Sequence, residues 1–195
     1  QDLELVMDEK TSSKSDSFSG GIFQLTEKEQ TLVFTGIEKE PVPSLLRDFS
    51  APIKLNYDYS RDQLLFLLQY DSDGFNCWDA GQKLALDVIY EVMSQQQANL
   101  PLMVDPRLLT AYGSLLQRDD LDHAMLAKML ILPSISYIAE TQEEIDIHAI
   151  NQARTHVQTI LADALAADLE ILYKRLNITQ GYLPEPGQMA QRGLK

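Results

Sequence analysis

The stretch Glu40-Pro41-Val42-Pro43-Ser44-Leu45-Leu46-Arg47-Asp48-Phe49-Ser50-Ala51-Pro52 divides the 195-residue chain into two textures. Pro41 and Pro43 each lack a ladder donor, so no central strand crosses the divide. Before it the residues predict short strands and loops. Leu3, Leu5 and Met7 alternate with polar neighbours and predict a strand, and Lys10 to Gly21 is a polar loop rich in Ser, Lys, Asp and Gly. Ile22–Leu25 and Thr31–Thr35 are rich in β-branched and aromatic residues and predict two more strands around the polar turn Thr26–Gln30. Ile53–Tyr57 predicts a last short strand. These strands are too few to close a sandwich, so the sheet reads as incomplete.

After the divide the spacing is helical. Ser60-Arg61-Asp62-Gln63 has the capping-box pattern, and the continuous apolar run Leu64–Leu68 that follows predicts a buried helix. Asp71-Ser72-Asp73-Gly74 breaks it. A second helix is predicted from about Phe75 to Gln97, with Trp78, Ala85, Val88, Ile89 and Val92 near one face, ended by Asn99 and Pro101. Asp105-Pro106 is a cap with proline at the first helical position, and Leu108, Leu109, Tyr112, Leu115 and Leu116 follow at helical spacing. A turn at Asp119-Asp120 leads to a short helix over Asp122–Leu132, and Pro133-Ser134 restarts the chain toward Ile138. Glu143-Glu144-Ile145-Asp146 places negative charge at the start of the longest predicted helix, which runs to about Leu176. Gly181–Gly187 reads as a Pro/Gly loop, and Gly187–Lys195 as the opening of a further helix. The fold class expected is therefore mainly α: partial β-sandwich strands over 1–56, then an α-helical, solenoid-like stack over 57–195. No fixed repeat period is visible.

The formal net charge is −13, with a pI near 4.5. The parts before and from Tyr57 are both acidic, so no basic face is hidden by averaging. Nucleic-acid binding needs clustered Lys and Arg and is not expected, and an anionic membrane surface is disfavoured for the same reason. No uncharged apolar stretch is long enough to cross a bilayer. The single cysteine, Cys77, forms no intramolecular disulfide and fits a reducing compartment, which points to the cytoplasm. The chain opens on Gln1 inside an expected strand, as a fragment would.

Candidate chemistry is thin. His123, His148 and His156 are the histidines, and none is followed by Glu, so the H-E-x-x-H zinc helix is absent. His148 and His156 lie eight residues apart on one predicted helix, roughly 12 Å along its axis, too far to share an ion bound at about 2 Å. Cys77 beside Trp78 has no histidine nearby and reads as packing. Asp71, Asp73 and Gly74 start like a calcium loop, but Gln82 stands where its terminal Glu belongs, so a capped turn is the better reading. The pairs Asp119/Asp120 and Glu143/Glu144 read as solvated helix starts. No catalytic, substrate-binding or metal residue is expected within the chain.

Thr26–Phe34, Pro41–Leu55, Asp62–Leu67, Asp73–Ala80 and Leu130-Ile131-Leu132-Pro133-Ser134 resemble bacterial aminopeptidase N of the alanyl aminopeptidase type, a zinc metallopeptidase family of the thermolysin-like clan. The resemblance spans nearly the whole chain, and the Pro41–Leu55 run is its most specific part. It implies the end of a small β-sandwich joined to the first part of a helical domain that covers the active-site mouth. The family's zinc helix, second zinc carboxylate and G-x-M-E-N motif match no position here. The resemblance thus implies zinc in a parent protein, with ligands outside this chain, and peptide substrates reached through the parent's catalytic domain. The chain alone is expected to be inactive and to self-associate through surface its missing elements would cover. The alternative is a free-standing helical interaction module; a self-contained hydrolase built on unrecognised carboxylates is a further rival.

Overall fold

Local signals decide where the helices begin. The structure is a computed structural model and describes residues 6–7, 18–19, 22–177, 181 and 183–195. The expected strand over Leu3–Met7 and loop over Lys10–Gly21 fall largely outside those residues. Contacts divide the chain into two compact units, Gln1–Pro43 and Ser44–Lys195.

The first unit holds two antiparallel two-stranded ladders. Strand β1 (Val6–Met7) pairs with β4 (Phe34–Thr35), with Val6 opposite Thr35 and Met7 opposite Phe34. Strand β2 (Phe18–Ser19) pairs with β3 (Ile22–Phe23). The polar turn between β3 and β4 is closed by Gln30, whose Oε1 accepts from the Thr26 and Glu27 amides at 2.7 and 3.3 Å. Ile22 and Leu25 are both 64% exposed, as in a sheet without its covering layer.

The second unit is a stack of eight helices among the described residues. Ser60 caps α1 (Arg61–Tyr70) with a full capping box: its Oγ accepts from the Gln63 amide, and the Gln63 side chain accepts from the Ser60 amide. Leu64, Leu67 and Leu68 are buried, but Phe66 is 45% exposed. The apolar run is therefore not wholly internal, because helical geometry turns Phe66 away from the face shared by Leu64, Leu67 and Leu68. Helix α2 (Gly74–Gln97) is the longest of the eight, and Leu84, Ala85, Val88, Ile89 and Val92 are fully buried along it. Trp78 is only half-buried. A Cβ at Gly81 would sit 3.2 Å from Leu68 Cδ1, so glycine permits the close approach of α1 to α2. Asn99, at φ 52°, ends α2 in a left-handed cap, with Leu100 N donating to Gln95 O and Asn99 N to Gln96 O.

Asp105 and Pro106 start α3 (Pro106–Leu116), which buries Leu108, Ala111, Tyr112, Leu115 and Leu116. Asp122 caps α4 (His123–Met129) and Ser134 caps α5 (Ile135–Glu140). Helix α4 stops at Met129 rather than Leu132. Leu132 precedes a proline, which disfavours helical backbone, and Gln82 Nε2 on α2 donates to Ile131 O at 2.7 Å. Arg154 Nε donates to Pro133 O at 2.8 Å, holding the same segment from the other side.

The single long helix expected from Glu143–Asp146 to about Leu176 is two helices, α6 (Ile147–Ala164) and α7 (Ala166–Leu176). The backbone departs from helical geometry at Leu165 (φ −102°, ψ 7°), where the side chain is buried 3.4 Å from the Cβ position of Gly113 on α3. No proline or glycine marks this break; packing makes it. Ala164 and Leu169, on either side of the break, lie exposed. Helix α8 (Pro186–Leu194) begins one residue before Gly187, so the preceding loop is shorter than expected, with proline again at a helix start.

Ile53–Tyr57 is not a strand. Its backbone bonds to described residues are local, Ile53 N to Ala51 O and Tyr59 N to Tyr57 O, and Ile53 is 60% exposed. Among the described residues the segment pairs with no strand.

Candidate functional site

The densest polar constellation of the helical unit lies where Ser44–Ser50 meets the start of α2. Asp71 and Asp73, the residues that start like a calcium loop, are both buried there. Asp73 Oδ1 caps α2 by accepting from Asn76 N at 2.8 Å, and Asp73 Oδ2 accepts from Asp48 N at 2.9 Å. Asp71 Oδ1 accepts from Asp73 N and from Arg47 Nη1, each at 2.9 Å. The Arg47 fork also reaches Ser44 Oγ at 3.1 Å and Ser72 Oγ at 2.7 Å. Asn76 Nδ2 donates to Ser44 Oγ and to Leu45 O. Phe49 stacks on Phe75 with ring centroids 4.1 Å apart.

This segment is strained. Leu46, Asp48 and Phe49 all have positive φ, between 52° and 56°. Left-handed backbone costs about 1–2 kcal/mol for each such L residue. A strained turn persists only where its surroundings over-determine it, and the Arg47, Asp71, Asp73 and Asn76 contacts do so here. The continuation to Tyr59 closes over a cavity of about 20 Å³ lined by Ser44, Leu45, Leu55, Tyr59, Asn76 and Lys83, among others. Burial pushes the Tyr59 hydroxyl up to about 12, with Tyr57, Asp79 and Asp71 adding to the shift. Asp73 thus holds protein groups through both of its oxygens, and Asp71 does so through Oδ1.

A second network ties α1, α2 and α3. Arg61 Nη1 reaches Glu91 at 3.0 Å and Asp105 at 2.9 Å. Arg107 grips Asp105 through Nε and Nη2 and extends Nη1 to Asp62 at 2.6 Å. The Arg107 guanidinium, aided by Arg61, holds the Asp105 carboxyl well below the usual carboxylate range against the opposing effect of burial.

Cys77 is fully buried. Its thiol donates to Asp71 O at 3.1 Å, and burial pushes it up, an effect opposed by Arg118 with Nη1 3.8 Å away. A protonated, enclosed thiol is a poor nucleophile. Arg118 also binds Asp120 and pulls that carboxyl down, while Asp119 pairs with Arg175 at 3.3 Å. Asp119 and Asp120 therefore sit in the turn after α3 as ion-pair partners rather than at a helix start. Glu143 and Glu144 are exposed before α6, whose cap is Asp146.

The three histidines do not converge on a common set of ligands. His123 opens α4, His148 is exposed in the first turn of α6, and His156 is half-buried two turns further on. Among the described residues no three His, Cys, Asp or Glu side chains come together as a cation site. The donor set needed for the zinc that the resemblance implies is therefore not found among them. No helix there is long and apolar enough to cross a membrane. The polar clasp around Asp71 was missed from sequence as a site. Its signal was the density of Pro, Ser, Arg and Asp in 43–50 facing D-x-D-G at 71–74, but nothing in the spacing says that the two meet.

Residues 61–195 match the family described as "Domain of unknown function (DUF3458_C) ARM repeats", and residues 2–58 match "Domain of unknown function (DUF3458) Ig-like fold". The chain is 35% identical over 174 residues to aminopeptidase N of Escherichia coli, covering 89% of this chain and 20% of that protein. It is 35% identical over 157 residues to aminopeptidase N of Haemophilus influenzae, covering 80% of this chain and 18% of that protein. A crystal structure of Legionella pneumophila aminopeptidase A in complex with aspartic acid superposes with a TM-score of 0.69 at 28% identity, over 85% of this chain and 21% of that one. The chain thus spans about a fifth of the length of the curated relatives it matches. An Ig-like stretch followed by a helical stack, similar throughout to aminopeptidase N, identifies the chain as a member of the family described as DUF3458_C ARM repeats.

Proposed function

We propose that this chain is a non-catalytic part of a zinc aminopeptidase that removes N-terminal residues from peptides, its helical stack limiting access to an active site built elsewhere. The observation that carries the reading is the similarity to aminopeptidase N over 89% of the chain, which spans only 20% of that protein. The zinc ligands and the groups that bind the substrate amine would come from outside this stretch. The fully buried free thiol of Cys77 supports a cytoplasmic setting. Acidic composition throughout supports a protein partner rather than nucleic acid or an anionic membrane.

Sequencing the source gene on both sides of this stretch tests the reading. An upstream H-E-x-x-H, a later Glu and a G-x-M-E-N are expected. A reading frame that starts just before Gln1 and stops after Lys195 would instead favour a free-standing helical interaction module. We also propose that the chain on its own self-associates, since Ile171, Tyr173 and Met189 are exposed on α7 and α8.

A further inference from the structure

Residues 44–58 are matched by the Ig-like family, yet the compact unit they belong to is the helical one, which begins at Ser44. Nothing regular holds them there. Among the described residues they form no strand, and their longer-range anchors are Arg47 on Asp71 and Ser72, Asp48 N on Asp73, Asn76 on Ser44 and Leu45, and Phe49 on Phe75. These anchors must offset three left-handed residues. One of them is incompletely satisfied, for Asp71 Oδ2 is buried without a hydrogen-bond partner. A segment held by side-chain contacts, without a strand ladder or a buried residue of its own, belongs with the parts of a fold that open locally.

We infer that residues 44–58 are a releasable clasp on the helical unit, docked on the start of α2 in one state and free of it in the other. The helical core stays folded in both states, because its buried hydrophobic residues lie on α1 to α7 or in the short connections between them, and none lies in the clasp.

Limited trypsin digestion of the full chain under native conditions tests this. Trypsin has sites after Arg47 and Lys54 within the clasp and after Lys83 and Arg118 within the helical core. Cleavage of a fast-opening segment follows the population of its open form. Asp71→Asn removes the charge that Arg47 grips, and the expected result is about a tenfold rise in cleavage after Arg47 with less than about a twofold change after Lys83 and Arg118. Arg47→Lys keeps the charge and a trypsin site but loses the fork that reaches Ser44, Asp71 and Ser72 together. It should give a smaller rise confined to the clasp, and it decides the matter if Asp71→Asn fails to fold. A parallel rise at core and clasp sites would show that the segment opens only with global unfolding and would overturn the inference. An unchanged rate after Arg47 in a folded variant would overturn it as well.

Discussion

The two ends of the helical stack are built differently. At the clasped end α1 and α2 pack Leu64, Leu67, Leu68, Leu84, Val88 and Ile89 into a closed interior, and two polar networks seal its edge. At the other end α8 buries no residue, and a groove of about 370 Å³ opens between Leu130, Leu169, Leu172, Tyr173 and Leu194. Ile171 is 65% exposed and Met189 61%. The first end draws its stability from apolar burial and from directed hydrogen bonds. The second holds its last helix by edge contacts, among them Gln191 Nε2 on Leu176 O at 2.8 Å and Lys195 on Asn177. One stack thus carries an end closed by burial and an end that leaves apolar surface exposed.

The largest effect should follow from emptying the closed interior. Leu84→Ala should destabilise by about 2–5 kcal/mol, as fully buried leucines do, while Met189→Ala at the open end should cost less than about 0.5 kcal/mol. Urea unfolding monitored by circular dichroism compares them, and equal costs would break the contrast between the ends. Next in size is Asp73→Ala, which removes the cap of α2 and the anchor of Asp48 N together. The expected loss is about 2 kcal/mol, from about 1 for each role.

Asp105→Asn isolates the second network, because asparagine caps α3 as well as aspartate does. The expected cost is about 1–2 kcal/mol at pH 7, the range for charge-assisted bonds with partly exposed partners. The sign of its pH dependence follows from the depressed Asp105 carboxyl. The native state binds the proton less readily than the unfolded chain does. The contribution is therefore full above the unfolded value of about 3.9 and is lost as pH falls from there through the folded value. Wild type and variant should converge in acid melts, and a gap that widened with acid would contradict the ion-pair account. The smallest effect on stability is expected from Ile171→Glu, within about 0.5 kcal/mol for an exposed site. It should nonetheless lower self-association in sedimentation velocity, sharpening the assignment of the open end.

Much of the architecture was legible because helix starts are written locally. Ser60, Asp105, Asp122, Ser134 and Asp146 each cap the helix that follows, and each is the kind of residue whose short side chain reaches a free amide. What was not legible depends on distant contacts. The break at Leu165 is set by packing against α3, and the end of α4 by Gln82 on α2. Ile53–Tyr57 has strand-like residues but no partner strand, so its composition misleads. The clasp was quoted as the stretch that divides the chain, but its chemistry depends on Arg47 meeting Asp71 across 24 residues. The stretches that carry the resemblance, such as 44–50, 73–80 and 130–134, are also those bound to α2 or its cap by polar contacts.

The role proposed for this chain is to support a peptidase without performing its chemistry. The most direct measurement is turnover of alanine p-nitroanilide by the purified chain, with and without added zinc, followed across successive purification steps. No turnover that scales with the chain is predicted, with or without the metal. Activity that copurifies with the chain and rises with zinc would contradict it.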